Sequence, residues 1–222
     1  MKRMIRCSPI KDNNLLPGPR KDGKYLTMDI TCAILAGGLS RRMGGMDKAA
    51  LKLGNSTLIE RVHRTVRTVF DRVIIVSSLH GPIEGIDAPV VEDALPFKGS
   101  MVGIVSALLY SRDPYVFVTG CDMPFLSEET MRCMVNETRG EDIIIPKTQA
   151  GFEPLHAIYK RTCISYMLRF VERGWPQITK LLPYLSVRVV ENHPSFFGRG
   201  ISPFTNINTT VDLAHAEEVD PL

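Results

Sequence analysis

The 222-residue sequence predicts a layered α/β domain built on a mostly parallel central sheet. From Asp29 onward, short apolar runs alternate with segments of helical period, the habit of strands joined by crossover helices. Two of those runs, residues 72–78 (RVIIVSS) and 115–122 (YVFVTGCD), are continuously apolar between polar turns, as expected of strands covered on both faces. With 44% hydrophobic and 23% charged residues, the chain can bury one substantial core, and a single domain is expected.

The elements follow in order. Residues 30–36 form the first apolar run. Residues 57–70 place Leu58, Ile59, Val62, Val66, Val69 and Phe70 on one helical face, and Thr57 with Glu60 has the spacing of a capping box. Residues 72–78 give the next strand, 90–93 a short one, and 101–110 (MVGIVSALLY) a helix packed closely through its glycine and alanines. Ser127 caps a helix over 127–138, whose two early acidic residues suit a helix N-terminus. Strands are expected over 142–146, 155–160 and 185–191, with a helix over 161–173. Thr209 and Asp212 cap a last helix running through Val219.

Residues 1–27 are rich in Pro, Gly, Asn and Lys and lack either structural period, so they read as a flexible N-terminal extension ahead of a domain spanning 28–222. Met28, immediately before DITCAILAGG, stands where an alternative translation start would be expected. The opening segment lacks the apolar run of a secretory signal, and no stretch approaches the about 18 apolar residues of a membrane span. Five scattered cysteines without C-x-x-C spacing suggest neither a disulfide framework nor a zinc site, so a reducing, cytoplasmic location is expected. A net charge of +3 falls short of a nucleic-acid-binding stripe and leaves small anionic ligands as the better partners.

Chemistry concentrates in residues 33–51, AILAGGLSRRMGGMDKAAL. A glycine-rich turn after a strand lets backbone N–H groups approach phosphate oxygens, and Arg41, Arg42 and Lys48 add positive charge. The loop does not match the common phosphate loop, since five residues separate Gly38 from Gly44 and Ala49 follows Lys48; nor is it G-x-G-x-x-G. The alternative is a glycine-rich connection carrying surface arginines. Phosphate chemistry usually needs a divalent cation held by oxygen ligands, and Asp122 stands at the C-terminal end of the strongest apolar run, where open α/β sheets bind ligands. Its alternative role is turn former or helix cap. Glu92 or Asp93, closing another apolar run, should face the same crevice.

The order L-A-G-G-x-S-x-R-M-G (35–44), Asp47-Lys48, Glu92-Asp93, Gly-Cys-Asp-Met-Pro-Phe (120–125), Glu-Pro-Leu-His-Ala (153–157) and Asn-Ile-Asn-Thr (206–209) resembles the molybdenum cofactor guanylyltransferases over nearly the whole domain. Leu-Ala-Gly-Gly resembles the guanine users, where cytidylyl relatives tend to have Leu-Ala-Ala-Gly. The resemblance implies a three-layer, Rossmann-like nucleotidyltransferase fold and a Mg²⁺-dependent transfer of GMP from GTP to the phosphate of Mo-molybdopterin, releasing pyrophosphate. It implies that Leu35, Ala36, Gly37 and Gly38 contact the nucleotide, that Lys48 holds a phosphate, and that Arg41 or Arg42 stabilises the leaving pyrophosphate. Asp122 would bind Mg²⁺, and Asp93, Gly99 and Gly103 would lie at the nucleotide, although Ser100 replaces the proline usual between those glycines. His156, Asn206 and Asn208 would face the pterin; their alternatives are a hydrogen-bonded core histidine and caps of the last helix. Molybdenum-insertion proteins and molybdoenzyme chaperones are the protein partners such an enzyme implies.

Competing expectations are a CTP-using relative, a nucleotidyltransferase for another phosphorylated metabolite, and a non-catalytic GTP-binding adaptor that delivers cofactor. Oligomeric state and the recipient molybdoenzyme leave no mark in the sequence.

Overall fold

The computed structural model describes residues 29–37, 48–77, 81–191, 193–197 and 201–219. The expected flexible extension and the boundary at Met28 therefore lie outside the described residues.

The strands are β1 (Ile30–Leu35), β2 (Lys52–Leu53), β3 (Ser56–Thr57), β4 (Arg72–Val76), β5 (Val90–Val91), β6 (Tyr115–Gly120), β7 (Ile143–Thr148), β8 (Gly151–Phe152), β9 (His156–Lys160) and β10 (Val187–Glu191). The helices are α1 (Leu58–Val66), α2 (Ser100–Tyr110), α3 (Glu128–Asn136), α4 (Ile164–Glu172), α5 (Ile178–Leu181) and α6 (Thr210–Val219). All but β2, β3 and β8 lie along one sheet in the order β10-β7-β9-β6-β1-β4-β5, with β8 added to β7 to make it eight-stranded; β2 and β3 form a separate two-stranded sheet.

The sheet is parallel where β1 meets β4 and β6, where β4 meets β5 and where β10 meets β7. It is antiparallel on both sides of β9 and between β7 and β8. The expected mostly parallel α/β architecture is thus present, with β9 as its internal exception. All six residues of β6 are buried, in keeping with its central position.

Side-chain alternation divides the core between the two faces. Cys32 and Ile34 of β1 and Phe117 of β6 join Val62 and Val66 of α1 and Met131 of α3 on one side. Ala33, Val116 and Val118 join Met101, Ile104 and Val105 of α2 and Met167 of α4 on the other. Helices therefore cover both faces of the sheet in three layers.

Local signals behave as their chemistry dictates. Thr57 accepts a hydrogen bond from the Glu60 N–H, and the Glu60 carboxylate accepts the Thr57 N–H at 2.7 Å, completing the capping box of α1. Ser127 caps α3. Asp212 accepts the N–H groups of Asn208 and Thr209, both at 2.8 Å, while Thr209 Oγ1 accepts the Asp212 N–H; the cap of α6 is built by these groups. The helix expected over 161–173 begins as a 3-10 turn at Arg161–Cys163 and becomes α-helical only from Ile164.

At the edge where the central parallel strands begin, a polar cluster ties the chain together. Asp113, only 7% exposed, accepts from Thr31 Oγ1 at 2.6 Å and from Arg72 Nε at 2.7 Å. Ser111 Oγ donates to Thr31 Oγ1 and accepts the Asp113 N–H. Three segments distant in sequence are clamped by one carboxylate. Asp113→Ala leaves the buried Thr31 hydroxyl without its acceptor and should lower stability by roughly 1–3 kcal/mol. Urea unfolding followed by circular dichroism measures this; a midpoint equal to wild type would remove the clamp from the account.

Candidate functional site

The site is built where the central parallel strands end. Ala36 N–H donates to Val76 O at 2.8 Å, Ser77 N–H to Val91 O at 2.9 Å and Cys121 N–H to Leu35 O at 3.0 Å, so the ladder of β1, β4, β5 and β6 continues past the strand ends. These bonds draw Leu35, Ala36, Ser77, the residues after Val91 and Asp122 to one edge of the sheet.

On the first side of this edge, Ala36 is buried and Gly37 exposed. A Cβ built on Gly37 would lie 3.9 Å from Asp93 Oδ2, so the carboxylate faces the start of the glycine loop. Burial raises the pKa of Asp93, and the Ser106 hydroxyl, 3.3 Å from Oδ1, works against that shift by donating to the carboxylate. Helix α2 begins here. Gly99, at φ 126°, is its N-cap and lies against Pro176. Gly103 lies one turn on, and a Cβ there would approach Leu35 Cδ1 to 3.1 Å, so the bare backbone lets α2 close on the end of β1.

On the second side stands Asp122, two residues beyond β6 and part-buried. A Cβ on Gly120 would come within 2.5 Å of Asp122 Oδ1; the carboxylate folds back over a space that only glycine leaves open. The Ile207 N–H donates to Asp122 O at 2.8 Å, which ties the Asn-Ile-Asn-Thr segment to the aspartate. Ile207 itself is fully buried with Leu53 and Leu58, leaving Asn206 and Asn208 part-buried on either side of it. Asn206 Nδ2 donates to Phe204 O at 3.3 Å. The cap of α6 is built from Thr209 and Asp212.

His156 does not line this edge. It is 0% exposed, and its ring meets those of Phe117 and Phe204 edge-on, each with centroids 5.0 Å away. Among the described residues neither ring nitrogen has a hydrogen-bond partner, and burial pushes the pKa down to about 3. A neutral imidazole enclosed by rings is what β9 delivers, and a contact from His156 to a pterin would require the ring to leave this enclosure. Nor does it match the alternative of a hydrogen-bonded core histidine, because its environment is aromatic.

Gly38, Arg41 and Arg42 lie outside the described residues, and of Lys48 the structure describes the backbone, at the head of a 3-10 turn (Lys48–Ala50). Among the described residues, no three His, Cys, Asp or Glu side chains gather as a metal cluster, and no helix is long and apolar enough to cross a membrane. The structure adds two features that motif reading leaves unassigned. Ser106 holds Asp93, and its signal was the small-residue spacing Gly99, Gly103, Ser106 along α2. Glu153, within the Glu-Pro-Leu-His-Ala segment, is half-buried with its pKa raised by burial, and it accepts a hydrogen bond from Thr148 Oγ1 at 3.0 Å.

Residues 32–189 match the MobA-like NTP transferase domain. The chain belongs to that family. It is a nucleotidyltransferase of the MobA-like kind, and its similarity to individual members extends over most of its length. The molybdenum cofactor guanylyltransferase of Desulfosudis oleivorans is 35% identical over 193 residues, covering 85% of this chain and 94% of that protein. A probable molybdenum cofactor guanylyltransferase of Clostridium perfringens is 34% identical, covering 85% and 98%. Among solved structures, the molybdopterin-guanine dinucleotide biosynthesis protein A of Archaeoglobus fulgidus superposes with a TM-score of 0.72 at 29% identity, covering 85% of this chain and 97% of that one. The 2-C-methyl-D-erythritol 4-phosphate cytidylyltransferase of Thermus thermophilus shares the fold at a TM-score of 0.63 and 17% identity.

Two outcomes follow. Gly120→Ala must displace the Asp122 carboxylate and should lower nucleotidyl transfer at least about tenfold with little change in melting temperature; wild-type turnover would show that the carboxylate position does not matter. For His156, the folded pKa is depressed below the ordinary 6.5, so the unfolded chain takes up the proton first as pH falls, and stability is lost from about pH 6.5 down towards 3. Urea unfolding at pH 7 and pH 5 should show wild type losing about 2 kcal/mol more than His156→Phe; equal losses would contradict the burial of a neutral ring.

Proposed function

We propose that this MobA-like nucleotidyltransferase transfers GMP from GTP to the phosphate of Mo-molybdopterin, forming molybdopterin guanine dinucleotide and pyrophosphate. The observation that carries the reading is the hydrogen bond from Ile207 N–H to the backbone carbonyl of Asp122: it joins the Asn-Ile-Asn-Thr segment to the chain at the strand-end aspartate, whose neighbour Cys121 is bonded in turn to Leu35. The names of relatives 34–35% identical over 85% of the chain support the same substrates.

A phosphate oxygen of the acceptor attacks the α-phosphorus of GTP; a new P–O bond forms as the bond to the β-phosphate bridging oxygen breaks, and pyrophosphate departs with that electron pair. The attacking phosphate is already an anion at neutral pH, so the chain needs no side-chain nucleophile and contributes alignment and charge neutralisation. The Leu35–Gly37 backbone and Asp93 bind the nucleoside end, and Lys48, by its place in the motif, holds a phosphate. Asn206 and Asn208 offer amide groups to the acceptor side. Mg²⁺ is commonly held by one or two carboxylates together with substrate phosphates, and the single part-buried carboxylate of Asp122 fits that donor set. When bound, Mg²⁺ supplies neutralisation of the phosphate charges.

Asp122→Ala and Lys48→Ala should each lower turnover about 10²-fold or more, measured as pyrophosphate release with GTP, Mg²⁺ and molybdenum-loaded molybdopterin. Near-wild-type rates for both would remove this mechanism. GTP with Mg²⁺ should raise the melting temperature more than CTP does; the reverse order would replace guanine with cytosine. GTP binding without pyrophosphate release, acceptor present, would favour the adaptor.

A further inference from the structure

Ser106 is fully buried in α2, yet its hydroxyl meets three polar partners. It accepts the Ala94 N–H at 2.9 Å and lies 2.9 Å from Val102 O and 3.3 Å from Asp93 Oδ1. A hydroxyl has one proton to give. The Val102 carbonyl, one helical turn back, already has the backbone donor that an α-helix provides, so it does not need that proton; the charged Asp93 carboxylate is the stronger acceptor. Because Ala94 N–H is bound by the same oxygen, the backbone immediately after Asp93 is pinned to α2 as well. The side chain and the following peptide are thus held by one atom.

The two carboxylate oxygens of Asp93 are divided by this arrangement. Oδ1 turns inward to Ser106, and Oδ2 is the oxygen nearest Gly37. The same helix carries Gly103, whose missing side chain lets it close on Leu35. One rigid element therefore sets both walls, the end of β1 and the carboxylate after β5.

Resting on the proposed GTP reading, we infer that Ser106 is a positioning residue for nucleotide selection: it locks Asp93 so that Oδ2 alone is presented to a hydrogen-bond donor on the nucleoside. Ser106 does not touch the nucleotide; its whole effect passes through Asp93. Removing its hydroxyl frees the carboxylate to turn, which weakens binding without altering the phosphate chemistry at Asp122.

A double-mutant cycle on the full chain tests this, with GTP–Mg²⁺ affinity measured by calorimetry up to millimolar nucleotide and no acceptor present. Ser106→Ala should raise the Kd for GTP about tenfold. In the turnover assay it should raise KM while leaving kcat at saturating GTP unchanged. In an Asp93→Ala background, the same substitution should change Kd by less than about twofold, because the group it acts through is gone. Melting curves without nucleotide identify any loss of fold. Equal effects of Ser106→Ala in both backgrounds would overturn the inference and assign the residue a packing role, as would an unchanged Kd in the single variant. A wild-type protein that binds no GTP would instead overturn the guanylyl reading, and this inference with it.

Discussion

The candidate site depends on the parallel pairing of β1 with both of its neighbours. Thr31 to Leu35 run in register with Arg72 to Val76, and Ile30 to Leu35 with Tyr115 to Gly120. Because the side-chain period of a strand is two residues, a slip of one position would send Cys32 and Ile34 to the face now occupied by Ala33, reversing both halves of the core at once. Burial on both faces makes that slip costly. The register that results brings three parallel strands to an end together, at Leu35, Val76 and Gly120. Asp113 fastens the opposite edge by binding Thr31 and Arg72, so the same strands are held at their starts as well.

Close approach is the second requirement, and small residues meet it. Gly103 admits the Leu35 side chain, and Gly120 leaves room for the Asp122 carboxylate. Ser106 is small enough for the interior of α2 yet polar enough to satisfy Asp93. These are packing facts with chemical consequences: each determines where a charged or ligand-facing group stands. On the opposite side, buried Ile207 anchors the segment whose backbone reaches Asp122, and part-buried Asn206 and Asn208 flank that anchor. The two sides of the edge share a backbone bond, Cys121 to Leu35, so neither can shift alone.

Much of this fold is legible in the sequence because local rules and tertiary demands agree. The α1 capping box, the apolar runs of β1, β4 and β6 and the cap of α6 all obey short-range chemistry. The β2–β3 pairing, β8 and α5 were not legible, since two-residue strands and a four-residue helix are too short to display a period. The direction of β9 is likewise silent, because an apolar run reads the same in either orientation; its antiparallel pairing emerges only with β6 and β7 in place. Asp122 could be found as a strand-end carboxylate, whereas the second apolar run offered Glu92 or Asp93 without choosing between them. The enclosure of His156 could not be found, because Phe204 arrives from 48 residues further along the chain. The bond between Ser106 and Asp93 required the helix to be docked before it could be seen.

The most direct test of a nucleotide side and an acceptor side meeting at one sheet edge is the mass of the product. Incubation with GTP, Mg²⁺ and molybdenum-loaded molybdopterin should yield a species heavier than the acceptor by one guanylyl group, formed in step with pyrophosphate. Recovery of unmodified acceptor alongside bound, intact GTP would contradict the account.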